Sequence, residues 1–235
     1  MKRKHNLLIL LAGLMAFASC KKDNFDPPGS TFKGRIIYEG EPIMVEQNQV
    51  RFQLWEPGWG LNGAIDVAID QDGSYSAVLF NGNYKLIIPK NEGPFMTKST
   101  GSPAKDTIMI NLQGSQDFDI EVMPYYMIRN AQFSQAGGKV AATVKIEKII
   151  TDANAKNIES VSLYINKTTY VGANGNMQIQ RKDSTVNAAT DLNNLQLSVN
   201  IPAITPTQNY VFARVGVKIT GVEDRLYSPV QKITF

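Results

Sequence analysis

The chain has 235 residues, 43% of them hydrophobic, with 24 Lys and Arg against 21 Asp and Glu for a formal charge of +3. It holds one histidine and one cysteine. That supply excludes a disulfide within the chain and a zinc site of the usual Cys/His type, and the nearly balanced charge leaves no basic footprint for nucleic acid.

In chain order, the first feature is an address. Lys2, Arg3 and Lys4 form a positive start, Leu7 to Phe17 is a run of apolar and small residues, and Ala18 and Ser19 place small side chains before Cys20. This is the order of a secretory signal, and the run is shorter than the roughly 20 residues a spanning helix needs. The segment resembles a bacterial lipobox, with Phe17 where the pattern usually has Leu. Residues 1–19 are therefore expected to be a cleaved signal peptide, and Cys20 the lipid-bearing N-terminus. A plain signal followed by an incidental cysteine is the alternative; against it, Cys20 is the sole cysteine and sits at the cut. Several acyl chains, at roughly 0.8 kcal/mol per buried methylene, would anchor the protein firmly without spanning the membrane.

Cleavage would leave 216 residues with 21 basic and 21 acidic side chains, and would remove His5, the only histidine. Ser-His-Asp and Cys-His nucleophile pairs are then impossible, and a pair of carboxylates is the one common hydrolase design left. The mature length suits two domains of about 100 residues. Residues 20–30, polar and rich in Pro and Gly, read as the lipidated cysteine and an extended leash. Two β domains, 31–124 and 125–235, are expected to follow.

The rest of the chain reads as strands punctuated by Gly, Asn, Asp and Pro. In the first unit these are Phe32–Tyr38, Val50–Glu56, Ile65–Asp70, Tyr75–Phe80, Tyr84–Pro89, Asp106–Leu112 and Gln116–Met123. Ile65, Val67 and Ile69 share one face. Asp72-Gly73 is a tight-turn signal; a second turn is expected at Asn81-Gly82-Asn83, so that Asp72 to Tyr84 spans one hairpin. In the second unit the strands are Met127–Phe133, Val140–Ile149, Val161–Asn166, Met177–Arg181, Leu195–Ile201, Tyr210–Thr220 and Tyr227–Phe235, about seven, as in an immunoglobulin-like sandwich.

Several residues invite a functional reading. Trp55 and Trp59 flank Glu56-Pro57-Gly58. Trp59, on a Pro/Gly loop, could present an aromatic plane to a sugar ring; Trp55 fits either that role or the core. Tyr125 and Tyr126, after Pro124, could line a groove between the domains or simply pack one against the other. Asp70 and Asp72 lack the further oxygen ligands of a calcium loop, so they read as turn chemistry. Asp117, Asp119 and Glu121 share a strand face; they fit a solvated edge better than a catalytic set, which needs a cleft. No metal, cofactor or catalytic residue is assigned.

Three resemblances organise these readings. Residues 32–89 resemble a carboxypeptidase-regulatory or transthyretin-like sandwich, on Gly34-Arg35-Ile36, Glu39-Gly40-Glu41-Pro42-Ile43, Asp72-Gly73-Ser74-Tyr75 and Gly82-Asn83-Tyr84. Residues 125–235 resemble a fibronectin type III or related immunoglobulin-like domain, on Tyr210-Val211-Phe212-Ala213-Arg214-Val215 and Tyr227-Ser228-Pro229-Val230. Here Val211 to Ile219 alternate one residue out of register with Tyr210, which a bulge near Phe212 would repair. The whole order is similar to a family of uncharacterised two-domain Bacteroidetes lipoproteins. The resemblance implies a non-enzymatic accessory protein at the outer membrane, on the cell surface or its periplasmic face, that binds a polysaccharide or supports import proteins. A structural or protein-interaction module without a glycan ligand is the alternative it leaves open, and a carboxylate glycosidase is a third.

Overall fold

A computed structural model describes residues 26–58, 63–98 and 107–235. The fold is all-β, two sandwiches in tandem. Among the described residues no helix is long and apolar enough to cross a membrane.

The first sandwich begins with β1 (Ser30–Tyr38), β2 (Glu41–Pro42), β3 (Arg51–Trp55), β4 (Ala64–Ala68) and β5 (Ser74–Leu79). It continues with β6 (Gly82–Ile87), β7 (Phe95–Thr97), β8 (Thr107–Leu112), β9 (Gln116–Asp117) and β10 (Ile120–Pro124). One sheet centres on β1, which pairs antiparallel with β2 and β5 and parallel with β9 and β10; β7 extends it from β10. The other runs β4-β3-β6-β8, all antiparallel. Their inner faces meet where Tyr75 stands 5.5 Å from Phe32 and edge-on, 4.8 Å, to Phe52.

The Asp72-Gly73 turn forms as expected. Asp70 N donates to Ser74 O at 2.7 Å, Gly73 N donates to Asp70 O at 2.9 Å, and Gly73 takes a positive φ of 81°. The single hairpin expected from Asp72 to Tyr84 does not. β5 pairs with β1, whereas β6 pairs with β3 and β8 in the opposite sheet. Phe80 and Asn81 therefore carry the chain across the sandwich: the same Gly-rich signal that marks a reversal within a sheet also suits a corner between sheets.

The second sandwich has a three-stranded sheet, β11 (Tyr126–Ala136), β12 (Lys139–Lys148) and β15 (Leu195–Asn200). Opposite it lie β13 (Ile158–Asn166), β14 (Gln180–Thr185), β16 (Tyr210–Ile219), β17 (Leu226–Tyr227) and β18 (Gln231–Thr234), ordered β14-β13-β16 with β17 and β18 sharing the far edge of β16. Between β13 and β14 a short 3-10 turn, Gly175–Met177, takes up the start of the strand expected at Met177. The alternating Val211, Ala213, Val215, Val217 and Ile219 are all fully buried. No bulge near Phe212 is needed: β16 runs in continuous register with β18 from Tyr210 to Ala213, and Tyr210 packs edge-on against Phe212 at 5.7 Å outside the core.

β13 and β16 are buried on both faces. Tyr164, Arg214 and Gly216 lie on the side away from the second core, where Met44 and Val45 of the first domain meet the Tyr164–Tyr227 cluster and Arg214, and Tyr227 covers Gly216. Met44 pairs with Tyr227 in an isolated bridge, which ties the segment after β2 to β17.

Candidate ligand-binding surfaces

Phe52 and Leu54 fill the first core and are fully buried, so alternation along β3 turns Gln53 and Trp55 to the outer face. Trp55 is half-buried there, not enclosed in the core. Its Nε1 donates to Gln53 Oε1 at 3.3 Å, and Gln53 Nε2 donates to Asp66 Oδ1 on β4 at 3.1 Å. That chain of bonds fixes the indole. The cross-strand row continues from Trp55 to Lys85 and then to Met109, which is 64% exposed. In the neighbouring row Asn111 Nδ2 donates to Asn83 Oδ1 at 2.8 Å. The outer face of this sheet thus carries Trp55 and Met109 with the exposed Lys85 between them, edged by amides. Trp59 and Cys20 lie outside the described residues.

Tyr125 and Tyr126 sit elsewhere, at the junction of the two domains. Tyr126 is buried, and its hydroxyl donates to Lys156 O at 2.7 Å, holding the loop after β12. Tyr125 takes a hydrogen bond path into both domains: its N donates to Pro94 O at 3.2 Å, and its carbonyl accepts from Ile149 N at 3.0 Å. Its ring, nearly buried, lines a cavity of about 320 Å³ with Pro89, Phe95 and Val222, and Lys156 Nζ stands 5.4 Å from its centroid. Tyr125 ties the domains together and also borders a groove between them, whereas the hydroxyl bond of Tyr126 stays within the second. Neither joins Trp55, which closes the end of β3 remote from this junction.

Except for Asp117, the carboxylates singled out in the sequence serve the backbone. Asp119 accepts from Arg35 N at 2.9 Å and Glu121 from Glu39 N at 3.0 Å, satisfying N–H groups of β1 and the turn after it; Asp117 pairs with Lys33 at 3.5 Å in solvent. Asp72 accepts from Ser74 N and Ser74 Oγ at 3.0 and 2.6 Å. Partial burial works against its ionisation, but these bonds prevail and hold its carboxyl below the usual range. Among the described residues no group of three or more His, Cys, Asp or Glu could hold a metal ion.

The most elaborate polar construction lies on residues that sequence reasoning passed over. Arg214, on β16, is fully buried. Its Nε donates to Ser228 O at 3.1 Å, Nη1 to Val45 O and Val171 O at 3.2 Å each, and Nη2 to Gln71 O at 3.3 Å. The guanidinium lies over the Tyr227 ring, 4.2 Å from its centroid. Burial lowers its pKa to about 10, opposed by the nearby Tyr227 and Glu46, so it remains a cation. Glu46, from the first domain, is also buried; it accepts from Ala173 N at 3.0 Å, Asn174 N at 2.8 Å and the Tyr227 hydroxyl. The signal was present: an arginine amid the apolar alternation of β16 has to face a partner if both faces of the strand are covered.

The geometry is shared with known structures. Residues 30–123 match the model of the N-terminal domain of a protein of unknown function, DUF3823, and residues 126–232 match a domain of unknown function, DUF3823_C. A DUF3823 family protein from Bacteroides ovatus is 33% identical with a TM-score of 0.75, over 87% of this chain and 98% of that one. One from Parabacteroides merdae is 30% identical with a TM-score of 0.75, over 89% and 100%. A Bacteroides uniformis protein named for a proposed carbohydrate-binding role shares the fold, with a TM-score of 0.66 over 88% and 100% but 16% identity. No curated protein matches the chain.

Proposed function

Because the chain belongs to the DUF3823 family, we propose that it is a lipid-anchored, non-catalytic accessory protein of the outer cell surface that binds glycan for a polysaccharide capture or import complex. The observation that carries this reading is Trp55. A sugar presents an apolar C–H face and a rim of hydroxyls, and the outer face of the β4-β3-β6-β8 sheet offers the complement: a fixed indole bordered by amide side chains. The B. uniformis neighbour's proposed carbohydrate role is consistent with it. The non-catalytic part rests on His5, the one histidine, lying in the segment that cleavage would remove, and on Asp119 and Glu121 being already engaged by backbone N–H groups. Anchoring rests on Cys20 and the segment before it.

The test is affinity electrophoresis through gels containing plant and host polysaccharides. The protein should be retarded by at least one of them, and Trp55→Ala should abolish most of that retardation; Trp59→Ala, run beside it, tests the loop tryptophan. Retardation by none would sink the glycan reading in favour of a protein-interaction module, for which the exposed Met109 would be the first contact to probe.

A further inference from the structure

The segment joining β13 to β14, residues 167–179, runs over the surface, where such loops are ordinarily mobile. Here it is held from both domains. The amides of Ala173 and Asn174 are bound by Glu46, the carbonyl of Val171 by Arg214, and the carbonyl of Thr169 by Gln71 Nε2 at 2.9 Å. From its own side, Asn166 Nδ2 donates to Thr168 Oγ1, Tyr170 O and Asn176 O at 3.1, 2.6 and 3.1 Å, and Gln178 Nε2 to Ala173 O at 2.6 Å. All but the Thr168 contact hold the backbone, and the result presents one aromatic side chain outward: Tyr170, 49% exposed.

Tyr170 borders an open groove of about 720 Å³ between this loop and the Gln47-Asn48 turn of the first domain, within the size range of small-molecule sites. Beyond the tyrosine, its walls carry the amides of Asn48 and Asn176 and the hydroxyl of Thr168, with no carboxylate; Gln47 also lines it, but its Oε1 accepts from Gln71 N at 3.2 Å and its Nε2 donates to Asn48 Oδ1 at 3.4 Å. Lys167 is the one cation, and its Nζ is engaged by Thr205 O at 3.2 Å. An aromatic plane with amide donors and acceptors, and without an anion or an unengaged cation, is chemistry suited to the hydroxyl rim and C–H face of an uncharged sugar. None of the residues lining this groove belongs to the Trp55 face, so the two aromatics serve separate surfaces.

We infer that the Tyr170 groove is a second saccharide site, built across the domain junction and specific for neutral oligosaccharides. It deepens the glycan reading but does not depend on the Trp55 face. The test is calorimetric titration of the full-length protein in detergent with maltohexaose, cellohexaose, xylohexaose and mannohexaose, and with oligogalacturonate as the anionic comparator. At least one neutral sugar should bind. Tyr170→Ala should raise its Kd by about tenfold, as expected for a lost ring contact, whereas Tyr170→Phe should leave it within about twofold. Unchanged melting of both variants would show that the loop's scaffold is intact. Binding lost in Trp55→Ala but kept in Tyr170→Ala would overturn this site while sparing the glycan function. Binding lost only in Tyr170→Ala would support the groove and reject the Trp55 face. Preference for oligogalacturonate would overturn the neutral assignment, and no binding by any sugar would overturn both readings.

Discussion

Arg214 shows how one side chain couples the two domains. Its guanidinium donates to Val45 O and Gln71 O of the first domain and to Val171 O and Ser228 O of the second. A planar fork of five N–H donors can serve four carbonyls at once, which a point-charged lysine cannot. Removing it would strand those carbonyls without donors and take away a cation that stands near the buried Glu46. Arg214→Met should therefore destabilise the protein by about 3–5 kcal/mol despite its good volume match. Arg214→Lys should recover only part of that loss. Both are read as shifts in the urea midpoint, and a loss under about 1 kcal/mol for the methionine variant would show that water replaces the guanidinium.

At the scale of strands, the outer face of β16 is shaped by absence. A Cβ at Gly216 would come within 2.7 Å of the Tyr227 ring and 2.9 Å of the Tyr164 ring, which lie 5.9 Å apart. Gly216→Ala should force those rings apart and cost about 1–3 kcal/mol, seen in a melting scan as a drop of about 2–4 °C per kcal/mol. This position also marks where the sequence stopped being legible. Strands came through because period-two alternation, as in Val211 to Ile219, reports one buried face, and Asp72-Gly73 reports a turn that needs only local bonds. What alternation cannot report is which sheet a strand joins. β5 and β6 are adjacent in the chain yet lie in opposite sheets, and nothing between Leu79 and Tyr84 distinguishes a corner from a hairpin. The surfaces followed the same rule. Trp55, on a strand, could be assigned to either face until Phe52 and Leu54 were seen to point inward. Tyr170 could not be found at all, because its prominence depends on Glu46, Gln71 and Arg214 meeting its loop from far away in the chain.

For the molecule as a whole, docking two domains brings acidic groups out of water. Asp224, beside β17, accepts from Gly93 N of the first domain at 2.8 Å, and Glu92 accepts from Arg51 N at 3.0 Å. Burial pushes both carboxyls above their usual range; the accepted N–H bonds oppose this, and the mutual repulsion of Glu92, Glu223 and Asp224 adds to it. A carboxyl with a raised folded-state pKa binds protons more tightly folded than unfolded. Its contribution to stability is thus fully present below the unfolded value of about 4 and is lost as pH rises through the folded one. At neutral pH these groups resist docking. Asp224→Asn keeps an oxygen to accept from Gly93 N and removes the charge. The variant should therefore melt above the wild type at pH 7.5, with the advantage shrinking as pH falls toward and below the unfolded carboxyl's value of about 4, where the wild-type side chain takes up its proton. Asp72 titrates in the opposite sense, since its stabilising bonds are lost as pH falls, but it contributes equally to both proteins and cancels in the difference. Melting curves of the pair across that range decide the matter. An advantage that does not change with pH would mean the substitution acts through packing, and that the buried charge does not set the strength of the junction.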